Sequence, residues 1–431
     1  MSWLPTLFAA ETIPSAMITF VALLMFVQQG VGWGASTFLC SLLTVPWLLR
    51  SLFRARVSEL RWLPWFILGV EAAIFLMLVA LAFSFSGGEG TVARIFLCLV
   101  VLCSLCACHD VASQSFYERL LPTRVQRLYD GSKMFFSQSA VVFTYGAMIM
   151  LVGTFEVIYC NYSHAIARSW SMAVYLLAGA YLILLISNLL LLPKGGRQDV
   201  RQERRPDGDL SSRPALPWQA RWKSPSLLLV LSLGFVLLPQ SIMFHTRVLF
   251  LVAPVSDGGL GCSLQWVGLA QGTVGVMAFS AGLGMGQWLL QHVGRRPWLP
   301  SASAPRRLYW SMVIPLGVSP FIYWLMTQRP PSGLLPLCVA TAVAQFCFGY
   351  GLNSCTMIVR RISGDRYRST TSYLYIPLIA LVMLPPMALS GWLAGRMGFV
   401  RFFTLDALLS LPAWVAAAIA YARFHDYAQP E

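Results

Sequence analysis

Long apolar runs recur along almost the whole chain, and they limit its fold more than any other feature. A helix needs about 20 mostly apolar residues to span a lipid bilayer. Only 11% of the 431 residues are charged and 57% are hydrophobic, whereas soluble domains carry about 25% charge. We therefore predict an all-α polytopic membrane protein. The twelve predicted spans are 4–27, 34–53, 62–85, 91–117, 132–153, 170–192, 225–252, 264–291, 308–326, 333–358, 370–394 and 400–422.

One long polar stretch separates the predicted spans into two sets of six. Residues 193–223, PKGGRQDVRQERRPDGDLSSRPALPWQARWK, are rich in proline, glycine and charge, and they show no apolar periodicity. A segment of this composition cannot bury enough apolar surface to fold alone. The predicted organisation is a six-helix half over residues 1–192, a flexible cytoplasmic linker over 193–223, and a second six-helix half over 224–431.

The basic residues indicate how the chain is oriented in the membrane. The formal net charge is +14, but the lysines and arginines lie between the spans rather than along one face. This distribution is typical of membrane topology and argues against a nucleic-acid partner. With the N-terminus inside, 25 of the 31 Lys and Arg residues fall in cytoplasmic segments. We predict a multi-pass protein of the inner (plasma) membrane with both termini in the cytoplasm. The remaining six basic residues are Arg94, Arg168, Arg247, Arg329, Arg396 and Arg401.

Several segments resemble the AmpG-type muropeptide permeases, a branch of the major facilitator superfamily that is also related to acetyl-CoA transporters. They are PTLFAAETIP in the first span, LTVPWLLRSLF in the second, CACHDVASQSFY in the fourth, DGGLGCSLQWVGLAQGTVGV at the entry to the eighth, and AQFCFGYG in the tenth. The order and spacing of these segments, which run nearly end to end, are most similar to the divergent AmpG-like transporters of Bacteroidetes. The resemblance implies twelve helices in two halves and import of cell-wall muropeptides for peptidoglycan recycling.

The chain departs from that family at three acidic positions. Ser58, Gln114 and Gln240 stand where the family carries carboxylates. Glutamine keeps hydrogen-bonding capacity but cannot exchange a proton. The departures leave the fold and the transport class unaffected, and they make the substrate and the proton coupling less secure.

Ionisable side chains inside the spans are the first functional candidates, because a charge in the membrane costs at least about 2.5 kcal/mol on insertion scales. Asp110, Glu11 and His109 are the predicted proton-coupling residues. Each also has a structural alternative. Asp110 could make a helix-packing hydrogen bond, Glu11 could reach the interface, and His109 could be a neutral packing residue. Glu71, in the third span, is predicted to have a structural partner.

Neutral polar residues inside the spans are the predicted substrate contacts, because amides and hydroxyls suit the many donors and acceptors of sugars and peptides. Gln114 and Tyr117 share a helix face with Asp110, which we predict to line a central cavity. For each of these residues the alternative is hydrogen bonding between helices. The predicted substrate-binding residues are Gln114, Tyr117, Gln138, Gln240, Gln271, Gln345 and Asn353.

The sequence lacks the signatures of other membrane-protein classes. There is no GxxxxGK[ST] loop for an ATP-driven pump, and we predict no cofactor. Cys103, Cys106, Cys108 and His109 do not converge on one face of a regular helix, so no metal site is predicted. We therefore expect a proton-coupled symporter, acting as a monomer on a small-molecule substrate in the bilayer, and not an enzyme.

Three alternatives stay open. One is the same fold carrying another solute, such as a peptide, a CoA-like anion or a siderophore. A large anion would need several cations in the cavity, and only Arg247 and, less clearly, Arg50 qualify. The others are a membrane enzyme that uses His109 and Asp110, and a sensor that does not transport.

Overall fold

The computed structural model describes residues 2–58, 60, 62–85, 90–121, 123–193, 225–293, 304–363 and 368–425. Within these ranges all the regular secondary structure is helical. The predicted linker over 193–223 lies outside them, apart from Pro193. The side chain of Ser58 also lies outside the described part.

Six membrane helices form the first half of the chain. Helix 1 consists of Trp3–Ala16, the π-helical turn Met17–Val21 and Ala22–Gln28; helix 2 of Trp33–Leu42 and Val45–Ser58; helix 3 is Leu63–Ser84; helix 4 is Thr91–Leu120; helix 5 consists of Thr123–Val141, the π-helical turn Val142–Ala147 and Met148–Ile158; and helix 6 is Ala165–Leu191.

Six more helices form the second half. Helix 7 consists of Pro225–Val236 and Leu238–Val252; helix 8 of Leu264–Val267, the π-helical turn Gly268–Gly275 and Val276–Val293; helix 9 is Ala304–Gln328; helix 10 is Leu334–Ser363; helix 11 is Arg368–Met397; and helix 12 is Phe399–His425.

In the described residues, nine of these helices are long and apolar enough to cross a membrane by length and composition alone. Helices 2, 7 and 11 are not among the nine. Helix 2 is interrupted by a turn at Leu43 and Thr44, and helix 7 by a turn at Leu237, so neither is one continuous helix. In helix 11 the side chains of residues 368–379 lie outside the described part.

The apolar core shows how the two halves meet. One cluster belongs to helices 1–6 and includes Phe8, Ile67 and Phe116. Another belongs to helices 7, 9, 10 and 12 and includes Tyr309 and Val313. Both lie towards the end of the bundle that carries the chain termini. Among the side chains that the structure describes, the two clusters are separate there. In the remainder of the bundle a single larger cluster combines buried residues from both halves.

Small residues bring the two halves together at the end remote from the termini. Between helices 2 and 11, a Cβ on Gly34 would lie 3.2 Å from the Cβ of Trp392. Thr37 Oγ1 donates to the Ala388 carbonyl at 3.1 Å and accepts from the Gly391 amide at 3.2 Å. Glycine and threonine allow backbones to approach closely where lipid supplies no hydrophobic driving force. These contacts therefore hold the halves together at this end.

Candidate functional site

Four charged residues from helices 1, 2, 4 and 5 meet in the first half. Arg50 Nη1 donates to Asp110 Oδ2 at 2.9 Å, and the two side chains are 20% and 19% exposed. Glu11 lies within hydrogen-bonding reach of Asp110, and Lys133 and Arg50 are its cationic neighbours. We call Glu11, Arg50, Asp110 and Lys133 the carboxyl cluster. Two carboxyl groups in contact cannot readily both be ionised, so this arrangement can hold a proton.

Gln114 extends the carboxyl cluster towards the end of helix 4. Its Oε1 accepts from Lys133 Nζ at 2.6 Å, and its Nε2 donates to Glu118 Oε1 at 2.9 Å. Lys133 Nζ also lies 4.5 Å from the centre of the Phe8 ring. A glutamine can bridge a cation and a carboxylate in this way without being charged itself. Gln114 therefore contacts charged groups of the protein and orders them.

Tyr117 does not line an open cavity, although it was predicted to contact substrate. Its side chain is 2% exposed, its hydroxyl donates to the Gln126 carbonyl at 3.1 Å, and its ring packs edge-on against Phe8. The helical periodicity placed Tyr117 on the same face as Asp110. Near the end of helix 4, however, that face is covered by helices 1 and 5.

His109 belongs to a second, fully buried polar group. His109 Nε2 lies 3.0 Å from Glu71 Oε1 on helix 3, and its Nδ1 lies 3.3 Å from Ser113 Oγ. Asn188 Nδ2, on helix 6, donates to the same Glu71 oxygen at 2.7 Å. His109 and Asp110 therefore take part in different clusters, because adjacent residues of a helix point about 100° apart. Glu71 has the structural partners that were predicted for it.

Removing Asn188 should destabilise the first half. Asn188→Ala leaves Glu71 with one fewer donor in a site without solvent, and we expect a loss of about 1–3 kcal/mol of stability. The measurement is the thermal unfolding of the purified protein in detergent. Ser187→Ala is the matched control, because Ser187 lies beside Asn188 and donates to a carbonyl of its own helix. Equal unfolding temperatures for the two variants would contradict a stabilising role for the amide.

A polar chain of three side chains crosses the second half. Gln345 Nε2, on helix 10, donates to Gln271 Oε1 at 3.0 Å, and Gln271 Nε2 donates to Tyr323 Oη at 2.7 Å. All three side chains are buried. Gln271 joins the other two side chains, because its amide both donates and accepts a hydrogen bond. The structure thus brings together two predicted residues and adds Tyr323 from helix 9.

Arg247, on helix 7, lies beside this chain. Its side chain is 5% exposed, and its Nε has no hydrogen-bond partner. The hydroxyls of Tyr145 and Tyr323 are within electrostatic reach of its guanidinium group. Among the described residues no carboxylate forms an ion pair with Arg247. We call Tyr145, Arg247, Gln271, Tyr323 and Gln345 the arginine site.

Aromatic rings from both halves enclose the arginine site. Phe20 stacks on Tyr145 with ring centroids 5.0 Å apart, and it lies 6.1 Å from Phe244. The Arg247 guanidinium carbon lies 5.0 Å from the centre of the Phe244 ring. Such a distance is typical of a cation–π contact. The arginine is therefore surrounded mainly by ring faces and tyrosine hydroxyls.

Three π-helical turns meet at this place. Phe20 lies in the turn Met17–Val21, Tyr145 in Val142–Ala147 and Gln271 in Gly268–Gly275. Turns of this kind leave backbone groups outside the regular hydrogen bonding of the α-helix, and they are frequent at functional sites. Gly272 allows the contact, because a Cβ on it would collide with the Tyr145 carbonyl oxygen. The arginine site thus lies where helices 5 and 8 touch backbone to backbone.

The other predicted amides serve as contacts between helices. Gln138 Oε1 accepts from Ser280 Oγ at 3.0 Å, which joins helix 5 to helix 8 across the two halves. Gln240 Nε2 donates to the Leu316 carbonyl at 2.9 Å. Asn353 is fully buried and donates to carbonyls of helices 8 and 10. Gln240 and Asn353 therefore do not reach the arginine site, and their amide nitrogens are satisfied by backbone.

Sequence reasoning did not single out Tyr145 and Tyr323, and it considered Arg247 only as a cation for a large anionic solute. Arg247 was otherwise counted among the basic residues that indicate the membrane orientation. Its position inside the predicted seventh span was the signal that marked it as a functional candidate. Asp406 was also missed. It lies inside the twelfth span, is fully buried, and neither carboxylate oxygen has a partner in the described part of the chain.

Comparison with known proteins gives matches at the level of structure. Neither a protein-family model nor a curated protein sequence matches the chain. A bacterial homologue of the human lysosomal transporter Spinster, inward-facing and unoccupied, has a TM-score of 0.67 at 14% identity, and the match covers 98% of this chain and 95% of that one. The nucleoside transporter NupG has a TM-score of 0.68 at 13% identity, with 98% of each chain covered.

A third structure comes from work on substrate recognition in proton-dependent oligopeptide transporters. It has a TM-score of 0.65 at 12% identity and covers 98% of this chain and 97% of that one. All three are structures of transporters. The matches extend over the whole helical bundle, and they confirm the predicted fold class. The chain has the major facilitator fold, with twelve membrane helices in two halves of six.

Proposed function

We propose that this protein is a proton-coupled secondary transporter of the inner membrane that imports cell-wall muropeptides or a related sugar-peptide solute. The observation that carries the coupling is the proximity of Glu11 to Asp110, beside Arg50 and Lys133, in this fold. Fold alone does not specify chemistry, so the proposal rests on this site and on the resemblance of the sequence to the muropeptide permeases.

The carboxyl cluster has the composition that proton exchange requires. Glu11 and Asp110 can share one proton, while Arg50 and Lys133 stabilise the form from which the proton has left. Of the proposed coupling residues, Glu11 and Asp110 share this site and His109 lies in the neighbouring buried group.

The polar groups of the arginine site and of Gln138 support the proposed substrate class. Gln271, Gln345 and Gln138 supply amides, and Tyr145 and Tyr323 supply hydroxyls beside aromatic rings. Sugars and peptides present neutral donors and acceptors that such groups bind. Solved structures with this fold include transporters of nucleosides, of xylose and of oligopeptides, so a sugar-peptide solute is of a kind that the architecture can accommodate.

Transport would proceed by rocking of the two halves around a site between them. The two halves have separate cores at the terminal end and share one core at the other end. With both termini in the cytoplasm, the separated end faces the cytoplasm, which corresponds to an inward-facing state. The related Spinster homologue is also described in an inward-facing conformation.

The orientation can be tested directly. Reporter fusions at Ser212 and Glu431 should both be cytoplasmic, and a fusion near Gly88 should be periplasmic, because the excess of Lys and Arg lies on the side of the termini. The measurement is the ratio of an enzyme reporter active only in the cytoplasm to one active only in the periplasm. Reversed ratios at all three positions would overturn the orientation.

The function is tested by uptake of a radiolabelled anhydromuropeptide into energised membrane vesicles that contain the protein. Accumulation should require an imposed proton gradient and should collapse when a protonophore is added. Vesicles without the protein are the control. Accumulation that persists with the protonophore would contradict the proposed proton coupling. Absence of muropeptide uptake, with uptake of a simple peptide, would favour the alternative of a peptide transporter with the same fold.

A further inference from the structure

We propose that the arginine site binds a single carboxylate group of the transported solute, with Arg247 as its counter-ion. This inference deepens the proposed transport function and rests on it for the statement that the ligand is cargo. It assigns a chemical class to the ligand, which neither the fold nor the resemblance supplies.

The first argument is the missing partner of Arg247. Its guanidinium group is always charged, the side chain is only 5% exposed, and its Nε has no hydrogen-bond partner in the part of the chain that the structure describes. The ring of Phe244 beneath it supplies a cation–π attraction and no hydrogen-bond acceptor. An unpaired charge at membrane depth is costly and marks a functional site. A ligand that brings an anion removes this cost.

The second argument is that donors converge on the same place. Tyr145 is 2% exposed, and its hydroxyl has no hydrogen-bond partner. Tyr323 Oη accepts from Gln271, and this hydroxyl also lies within electrostatic reach of the Arg247 guanidinium group. Tyrosine hydroxyls and an arginine together form a set of donors without a carboxylate among them. A group that accepts several hydrogen bonds fits this set.

The third argument decides between a carboxylate and a phosphate. Among the described residues Arg247 is the cation of the arginine site, and one guanidinium group balances one negative charge. A phosphate monoester carries about −1.5 to −2 at neutral pH, which would leave charge uncompensated among aromatic rings. A carboxylate carries one charge and matches the planar guanidinium in a two-point contact. The site therefore favours a monocarboxylate over a phosphorylated or CoA-like solute.

The arginine site contains groups from both halves, so ligand binding there is linked to the movement of the halves. Tyr145 belongs to the first half and Arg247 to the second, and Gly272 brings the helices that carry the π-helical turns into backbone contact. A carboxylate held between them contacts both halves. Its binding energy depends on how the halves are placed, which is the requirement for a ligand to shift a two-state equilibrium.

The test measures binding of acids and their neutral amides to the full-length protein in detergent. The probes are anhydromuramyl-alanine and its carboxamide, and acetyl-dialanine and its carboxamide. Wild-type protein should bind at least one acid roughly tenfold more tightly than its amide, a difference of about 1.4 kcal/mol. Arg247→Gln should bind acid and amide equally, and Arg247→Lys should keep part of the preference. Arg329→Gln, at an exposed position, is the matched control and should behave as wild type.

The outcomes of this binding test separate the carboxylate site from the muropeptide cargo. Equal affinity of wild type for acids and amides, or no binding of any acid, would overturn the carboxylate site. A folded Arg247→Gln protein that still prefers acids over amides would also overturn the carboxylate site. If acetyl-dialanine is preferred over its amide while both muramyl probes fail to bind, the carboxylate site stands and the proposed muropeptide cargo fails. Because the acid-to-amide comparison is made on wild-type protein, misfolding of a variant does not remove the test.

Discussion

Asp110→Asn is expected to abolish the accumulation of solute against its gradient and to leave downhill exchange intact. Asparagine keeps the shape of the side chain and accepts a hydrogen bond from Arg50, but it cannot release a proton. Glu11 would then be the remaining acid of the carboxyl cluster, next to Arg50 and Lys133. Without the second carboxyl group the cluster loses the pair that shares a proton in the proposed mechanism, so we expect no proton to be carried.

The measurement separates coupling from substrate binding. Uptake driven by an imposed proton gradient should fall to the level of passive equilibration, whereas exchange of labelled for unlabelled solute should continue. Asp257→Asn is a suitable control, because Asp257 lies in an exposed turn between helices 7 and 8. If Asp110→Asn accumulates solute as wild type does, the cluster is a packing element and Glu11→Gln becomes the next variant to measure.

Gly272→Ala is expected to produce a large loss of stability together with a loss of uptake. A Cβ at this position would collide with backbone atoms of Tyr145 and Gly146 on helix 5. Backbone cannot swing away as a long side chain can, so helices 5 and 8 must separate. Overpacking of this kind costs about 1–3 kcal/mol. It would also displace Tyr145 from the arginine site.

Gly284→Ala is the matched control for this variant. It lies on the same helix 8, and a Cβ there would meet no atom within 4 Å. Alanine is favoured over glycine inside a helix by up to about 1 kcal/mol, so this variant should be as stable as wild type or more so. Thermal unfolding and vesicle uptake measure both effects. Equal behaviour of the two variants would mean that the close contact of helices 5 and 8 is not required.

The fold was predictable because lipid as a solvent leaves few choices. A chain in the hydrocarbon core must satisfy its backbone hydrogen bonds internally, so each apolar run of sufficient length becomes a helix. The number and order of the helices follow from that rule. The exact ends of the helices do not follow from that rule, because helical hydrogen bonding continues into polar residues. Helix 5 thus begins at Thr123, well before the predicted span at 132–153.

The functional residues were predictable only in part. Glu11 and Asp110 could be recognised because an acid within an apolar run is costly, and the structure brings them together from separate helices. Tyr117 and Asn353 were placed on polar faces by helical periodicity. Periodicity defines a face but not what covers that face, and here neighbouring helices cover it.

The amino-acid sequence by itself determined that this protein lies in a membrane, that its helices are grouped in two sets of six, and which buried positions carry ionisable groups. These are consequences of local composition and of solvation. Only the tertiary structure decided which of those groups share a site. Arg50 contacts Asp110, His109 contacts Glu71, and Arg247 has no carboxylate partner among the described residues. Pairing across helices depends on the distances that helix packing sets between them. No local pattern encodes those distances.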